Sequence, residues 1–462
     1  MYYAILILAL AGTLYNLVLS IVQMRSASNP TPANVSDVFD AETYQKWKAY
    51  SRERSVLSIV FTCISGVITL ALLASGAYAA FASLFPAGVF MQLLAVVLLE
   101  VAVGTVLSIV RGYISDMVIE QKYGFNRTSV KTFIVDCVRN LILELVLSLL
   151  LACLLWGCSF FGDWMILIFA VCMLLFTLFI SFMYPIFSRI GNKFTPLEDG
   201  ELKDRLMELL TKHGYKVKAI EVMDASRRTT KLNAYFTGFG KMKTIVLYDN
   251  LINAMEPDEI CAVFAHELGH GLHKDVLKGQ IENFGNMLIM GVIVWVVVTH
   301  PVFCTAFGFA DINFGFAYVI LGVLLGLFNP LISLWTNARS RRAEFRADKQ
   351  AVSEGYGPAM ITALKKLARE NFAHLAPSRI NVVLEYSHPP HQRGAGILPS
   401  PALRKNRSGG EGNESIDRRL VIPYHEKTSI QILFIQLENF PNERSNNNST
   451  YYNAHTLCNR CI

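Results

Sequence analysis

FGFAYVILGVLLGLFNPLISLW (Phe314–Trp335) is an apolar run long enough to cross a bilayer as a helix, which takes about 20 residues. After it the chain reads Asn337-Ala-Arg-Ser340-Arg341-Arg342-Ala-Glu344-Phe-Arg-Ala-Asp348. Working outward from this stretch, six further runs of the same kind stand at Tyr2–Met24, Val56–Ala80, Phe90–Val110, Cys137–Gly157, Trp164–Ile186 and Phe284–Thr299. The first begins Met1-Tyr2-Tyr3 with no basic flank, so it is expected to be an uncleaved span rather than a signal peptide. The predicted fold class is therefore mostly α: a polytopic membrane protein with about seven transmembrane helices.

Composition agrees. Charged residues make up 17% of the chain and apolar residues 53%, with mean hydropathy +0.37; a soluble protein carries about 25% charged residues. Hydrophobicity this high excludes bulk disorder. Most cysteines sit inside the apolar runs, where they act as small hydrophobes. The net charge of +6 gathers on one side of the membrane, which speaks against a nucleic-acid partner and leaves membrane lipid as the surrounding medium.

Orientation follows from where Lys and Arg flank the spans. The first loop carries Arg25, Lys46, Lys48, Arg52 and Arg54; the third, Arg111, Lys122, Arg127 and Lys131; the fifth is the long polar stretch from Arg189 to Glu282; Arg339, Arg341 and Arg342 follow the seventh span. The loops around Phe85, Asp163 and Asp311 hold almost none. An N-terminus in the lumen, with the large loops and C-terminus in the cytosol, is expected. The Asn-x-Ser/Thr sequons, such as that at Asn34, then fall on the cytosolic side and are chance matches.

The fifth loop reads as a folded unit, with a helix over Glu201–Leu210 and strands at Ala219–Met223, Thr244–Tyr248 and Asn233-Ala-Tyr-Phe, the last ending in a turn marked by Gly238 and Gly240. Pro257-Asp258-Glu259 is a helix start signal. That helix carries His266-Glu267-Leu268-Gly269-His270. Histidines at i and i+4 share one helix face and can converge on one Zn²⁺, and the glutamate between them can take a proton from a metal-activated water. A catalytic zinc usually takes three protein ligands. Glu344 is the candidate third ligand; Asp348, one turn on, can accept the N–H of a ligand histidine. Because two spans separate His270 from Glu344, a shared ion has to lie close to the bilayer surface or in a cavity between spans. Such a placement suits a lipid-modified or membrane-inserted substrate.

On these residues the sequence resembles the type I CAAX prenyl proteases, the seven-span zinc metalloproteases that process prenylated proteins. Lys122-Tyr-Gly-Phe-Asn-Arg-Thr128, Asn233-Ala-Tyr-Phe-Thr-Gly-Phe-Gly240 with Ile245-Val-Leu-Tyr-Asp249, Ser340-Arg-Arg-Ala-Glu-Phe-Arg-Ala-Asp348 and Tyr386-Ser-His-Pro-Pro390 carry the likeness, which spans about residues 1 to 390. It implies one Zn²⁺ per chain held by His266, His270 and Glu344, with Glu267 as general base and His388 as donor to the oxyanion. It implies a substrate strand at Asn233 and Ala234, and Arg341 at the substrate carboxylate or steadying the Glu344 helix. The spans would enclose a chamber, with a gluzincin-like domain and its small β-sheet beside it. Prenylated CAAX proteins or peptides would be the substrates, and the endoplasmic reticulum or nuclear envelope the location.

The expected domains are spans at 1–187, a cytosolic metalloprotease domain at 188–282, spans at 283–336, the third-ligand helix and His388 region at 337–390, and a divergent tail at 391–462 whose Gly-, Ser- and Asn-rich composition predicts disorder. The lone Cys458-x-x-Cys461 pair in that tail is weak as a metal knuckle. An HtpX-like membrane quality-control protease shares the zinc motif and is the alternative enzyme. A catalytically impaired scaffold with a structural zinc is the non-enzymatic one, against which the intact Glu267 argues.

Overall fold

The computed structural model describes residues 1–187, 189, 192–237 and 244–389. The expected turn at Gly238 and Gly240, the divergent tail and its cysteine pair lie outside these residues. Helices α1 (Tyr2–Ser26), α2 (Ala41–Ala74), α3 (Ala77–Ala82), α4 (Val89–Gly112), α5 (Val130–Ser159) and α6 (Met165–Phe187) form the N-terminal half. Then come β1 (Phe194–Pro196), α7 (Glu201–Lys212), β2 (Ala219–Met223), β3 (Ala234–Thr237), β4 (Thr244–Tyr248), α8 (Asp249–Ala254) and α9 (Pro257–Leu272). The chain goes on through α10 (Asp275–Thr299), α11 (Val302–Thr305), α12 (Phe314–Ser353), α13 (Gly357–Glu370) and α14 (Arg379–Leu384). Seven of the described helices are long and apolar enough to cross a membrane.

All seven expected spans are present, but several of their ends differ. The second was expected over Val56–Ala80. Its helix instead starts at Ala41, where the Asp40 carboxylate accepts the Thr43 N–H at 2.7 Å, and it stops at Ala74, because Gly76 turns left-handed (φ 70°). After α4 the helix continues as a π-helix over Tyr113–Glu120. The sixth begins at Asp275 rather than Phe284, and the seventh runs unbroken to Ser353. The expected divisions at 282/283 and 336/337 therefore fall inside α10 and α12.

Among the described residues, two large hydrophobic cores and two smaller clusters result, the smaller ones around Trp47 and Tyr50. One large core lies among the membrane helices, around Leu93, Leu155, Phe169, Val294, Phe316 and Leu325. The other joins the sheet to α7, α9, α13 and the end of α12 through Leu206, Ile220, Leu247, Phe264, Leu268 and Ala351. The sheet order is β1-β2-β4-β3, with β2 and β4 parallel and the other pairs antiparallel. β3 thus lies at an edge; Ala234 faces Leu247 in register.

The residues before β3 are pinned. Leu232 gives its N–H to Asn371 Oδ1 (3.0 Å) and accepts from Asn371 Nδ2 (3.2 Å). Asn250 Nδ2 donates to the carbonyls of Thr229 and Lys231. The buried Lys231 meets Glu120, the last residue of the π-helix, at 3.2 Å, and Glu120 also pairs with Arg54 and accepts from Tyr50 Oη.

Candidate metal centre

The start of α9 follows from its sequence. Pro257 occupies the first turn, where a missing N–H costs nothing, and Glu259 reaches back to accept the Glu256 N–H at 2.9 Å. One face of the helix is buried through Ile260, Cys261, Phe264, Ala265 and Leu268. His266 and His270 therefore emerge together beside α12, their rings 5.0 Å apart. The two helices approach closely at Gly269: a Cβ there would lie 3.0 Å from Ala347 Cα.

His266 Nε2 lies 3.4 Å from Glu344 Oε2, and His270 Nε2 lies 3.5 Å from Glu344 Oε1. One ligand atom from each residue falls within 4.8 Å of the others. Atoms bound at about 2.0–2.1 Å around a tetrahedral zinc stand roughly 3.3–3.5 Å apart, and the two His–Glu344 distances match that spacing. Electrostatics point the same way. Burial opposes a charged imidazole at His266, yet Asp348, Glu344 and Glu267 outweigh it and hold its protonation range well above the ordinary value. At His270 burial is likewise outweighed, chiefly by Asp275 and Glu344. A cluster of carboxylates that draws a proton onto buried imidazoles is one that favours a cation in their midst.

Each histidine is held from behind. His266 Nδ1 lies 2.9 Å from Asp348 Oδ1, the partner expected for it. His270 Nδ1 lies 3.1 Å from Asp275 Oδ2, and Arg346 Nη2 donates to the other oxygen of Asp275 at 2.8 Å. With Nδ1–H given to a carboxylate, each ring turns its Nε2 towards Glu344, the atom that would carry the lone pair for a metal. The role of Asp275 escaped the sequence reading: an acid opening a helix reads as an ordinary first-turn residue, and nothing in its spacing points back to His270. His273, three residues past His270, bonds to the Gly269 carbonyl through Nδ1 at 2.8 Å.

The remaining expected residues distribute unequally. Glu267 is half-buried on α9 between the two histidines. His388, on the segment after α14, brings Nε2 to 3.4 Å from Glu344 Oε1 while its side chain stays 71% exposed. Asn233 and Ala234 stand at the start of the edge strand, where the Asn233 carbonyl accepts from Tyr248 and its side chain from the Ala234 N–H. Arg341 sits on α12, three residues before Glu344. It is 3% exposed, and its guanidinium donates to the carbonyls of Tyr386 (2.8 Å) and Val383 (3.4 Å). Helical periodicity turns it inward and leaves its neighbour Arg342 exposed.

Comparison with known proteins agrees with this architecture. Residues 20–189 match the family model described as CAAX prenyl protease N-terminal, five membrane helices, and residues 196–395 match peptidase family M48. The CAAX prenyl protease 1 of Saccharomyces cerevisiae is 30% identical over 312 residues, covering 62% of this chain and 68% of that protein. The CAAX prenyl protease 1 homolog of Arabidopsis thaliana is 28% identical over 395 residues, covering 80% and 91%. A crystal structure of Ste24p from S. mikatae superposes with a TM-score of 0.80 at 25% identity, covering 86% of this chain and 99% of that one.

Proposed function

We propose, for a chain that belongs to the CAAX prenyl protease family of M48 metalloproteases and is an integral membrane protein, that it removes the C-terminal tripeptide from prenylated proteins ending in Cys-a-a-X. The observation that carries this reading is the union of two histidines on α9 with a glutamate on α12, a helix that is itself a membrane span. In this reading His266, His270 and Glu344 hold one Zn²⁺, and the division of the chain is the one expected from the sequence, with α10 and α12 shared across its borders.

A bound zinc would polarise the scissile carbonyl and lower the pKa of a water towards neutrality. Glu267 takes the proton from the attacking water and passes it to the departing amide nitrogen. His388 Nε2 donates a hydrogen bond to the carbonyl oxygen as its charge grows. Asp348 and Asp275 keep the two imidazoles in the tautomer and orientation that bind metal. β3, an edge strand starting beside Asn233 and Ala234, pairs with the extended residues after the modified cysteine. The prenyl chain lies in membrane lipid and holds the peptide at the bilayer, each buried CH₂ adding about 0.8 kcal/mol. The basic loops argue for a cytosolic site, the family for an endomembrane such as the endoplasmic reticulum, and nucleic acid has no part in this reading.

The test compares a farnesylated Cys-a-a-X peptide with its unprenylated twin, by initial rate and product mass, in liposomes. The farnesylated peptide should be cut much faster, at the bond after cysteine, and a chelator should stop the reaction. Glu267→Gln should keep its metal and lose about 10²–10⁴-fold in turnover. Equal cutting of both peptides, or scattered cuts in unfolded membrane proteins, would favour the quality-control alternative.

A further inference from the structure

We infer that Arg341 is a positioning residue: it fastens the segment bearing His388 to the helix bearing Glu344, and thereby sets where the His388 imidazole stands. This deepens the function proposed above and rests on the role given there to His388.

The anchoring is local and one-sided. α14 ends at Leu384, and a helix end leaves its last carbonyls without intrahelical partners. Side chains from a single face of α12 supply donors there. Asn337 Nδ2 donates to the Leu384 carbonyl at 2.8 Å, and one turn further along Arg341 donates to Val383 at 3.4 Å and Tyr386 at 2.8 Å. A cation is the favoured partner at a helix C-terminus. The Tyr386 carbonyl lies two residues before His388, and Arg341 lies three before Glu344. The guanidinium therefore bridges the two lines of chain whose side chains meet at 3.4 Å in the site. From the other side, Gln23 of α1 donates to Tyr386 Oη at 3.2 Å.

The rest of the surroundings agree. His388 is 71% exposed, so little packing holds its ring, and its placement depends on the backbone behind it. An oxyanion donor has to lie within hydrogen-bond reach of the reacting oxygen, and a shift of 1 Å can cost a hundredfold. Arg341 at 3% exposure is poorly placed to meet a peptide carboxylate, which would have to enter its buried site and compete with two carbonyls.

The experiment is a double-mutant cycle on the full chain in liposomes, using a farnesylated Cys-a-a-X peptide in its free-acid and C-terminal amide forms. Arg341→Met, which nearly preserves volume, should lower kcat about 10–100-fold, as expected for a displaced oxyanion donor. KM and metal content should stay near those of the parent, and the ratio of acid to amide rates should not change. In a His388→Ala background the same substitution should cost less than about threefold, because residues acting as one unit are non-additive. Arg341→Lys should recover part of the lost kcat. Should Arg341→Met fail to fold, Asn337→Ala, which frees the Leu384 carbonyl between the two that Arg341 holds, loosens the same segment and enters the cycle instead. A selective loss on the free-acid peptide would make Arg341 the carboxylate anchor and overturn the inference, as would metal loss or full additivity with His388→Ala. If His388→Ala alone leaves kcat untouched, the role given to His388 falls, and this inference with it.

Discussion

Two imidazoles, each backed by a carboxylate from another stretch of chain, are the residue-scale basis of the site. Asp348 could be anticipated, because it stands one turn from Glu344 on the same face. Asp275 could not, since its partner is brought to it only by the left-handed Lys274 (φ 54°) that breaks the chain between α9 and α10. Removing either carboxylate leaves His266, His270 and Glu344 in place, the ligands in the proposed reading, but unties a ring. Asp275→Ala and Asp348→Ala should each weaken metal affinity about 10–100-fold, read by chelator competition; unchanged affinity would deny these carboxylates a part in holding the ligands. A third imidazole behaves in the opposite way. His374 Nδ1 accepts the Ala376 N–H at 3.2 Å, and its Nε2 lies 2.9 Å from Ser26 Oγ, which itself donates to the Gln23 carbonyl. Nε2 must then carry the only ring proton, and burial pushes the pKa down to about 4. The folded state thus refuses a proton that the unfolded state accepts near pH 6.5. Stability from this group is full above about pH 6.5 and is lost as pH falls towards about 4, by at most ~3 kcal/mol. Thermal unfolding in detergent should show this acid limb, and His374→Gln should flatten it; an unaltered limb would place its origin elsewhere.

Among the elements, the closeness of α9 to α12 decides whether three donors can share one ion. Gly269 permits it. A methyl at that position would press at 3.0 Å on Ala347 Cα and on Gln350 Cβ, whereas one at Gly285 on α10 would meet nothing within 4 Å. Overpacking of this kind costs about 1–3 kcal/mol, and here the strain falls between His266 and Glu344. Gly269→Ala should therefore release metal at lower chelator concentration than the parent, while Gly285→Ala should not; equal release from both would show that the helices yield without disturbing the ligands. Much at this scale was legible. Apolar runs announced seven spans, and β2 and β4 fall at their expected residues because alternating or continuous apolar patterns report burial directly. Some helix ends were legible as well, since Glu201, Pro257 and Phe314 open α7, α9 and α12 as expected, but others were not. The extension of α2 to Ala41 and the unbroken passage of α12 past Trp335 lie in polar sequence, and the π-helix that follows α4 lies in mixed sequence, where tertiary contacts and caps decide. The inward turn of Arg341 was hidden for the same reason: the Val383 and Tyr386 carbonyls it meets are brought to it only by the fold.

For the whole molecule, the distribution of basic loops makes a claim about sidedness that is independent of the site. Glycosylation sequons engineered beside Asp163 and Asp311 should be modified, and the native sequon at Asn34 should not; modification at Asn34 alone would invert the orientation. The unbroken α12 carries a further consequence. At about 1.5 Å per residue its 40 residues make a helix of roughly 60 Å, twice the hydrocarbon thickness of a bilayer, with Pro330 inside it. One end of that helix answers to lipid, and Glu344 rides near the other. Hydrophobic mismatch is relieved largely by tilt, and tilt about a point in the membrane swings a distant side chain most. Acyl-chain length thus becomes a variable of the coordination sphere. In liposomes of graded thickness the affinity for metal should pass through an optimum, with lipids both thinner and thicker than the match loosening the grip of Glu344, so that the membrane acts as a remote determinant of ligand geometry.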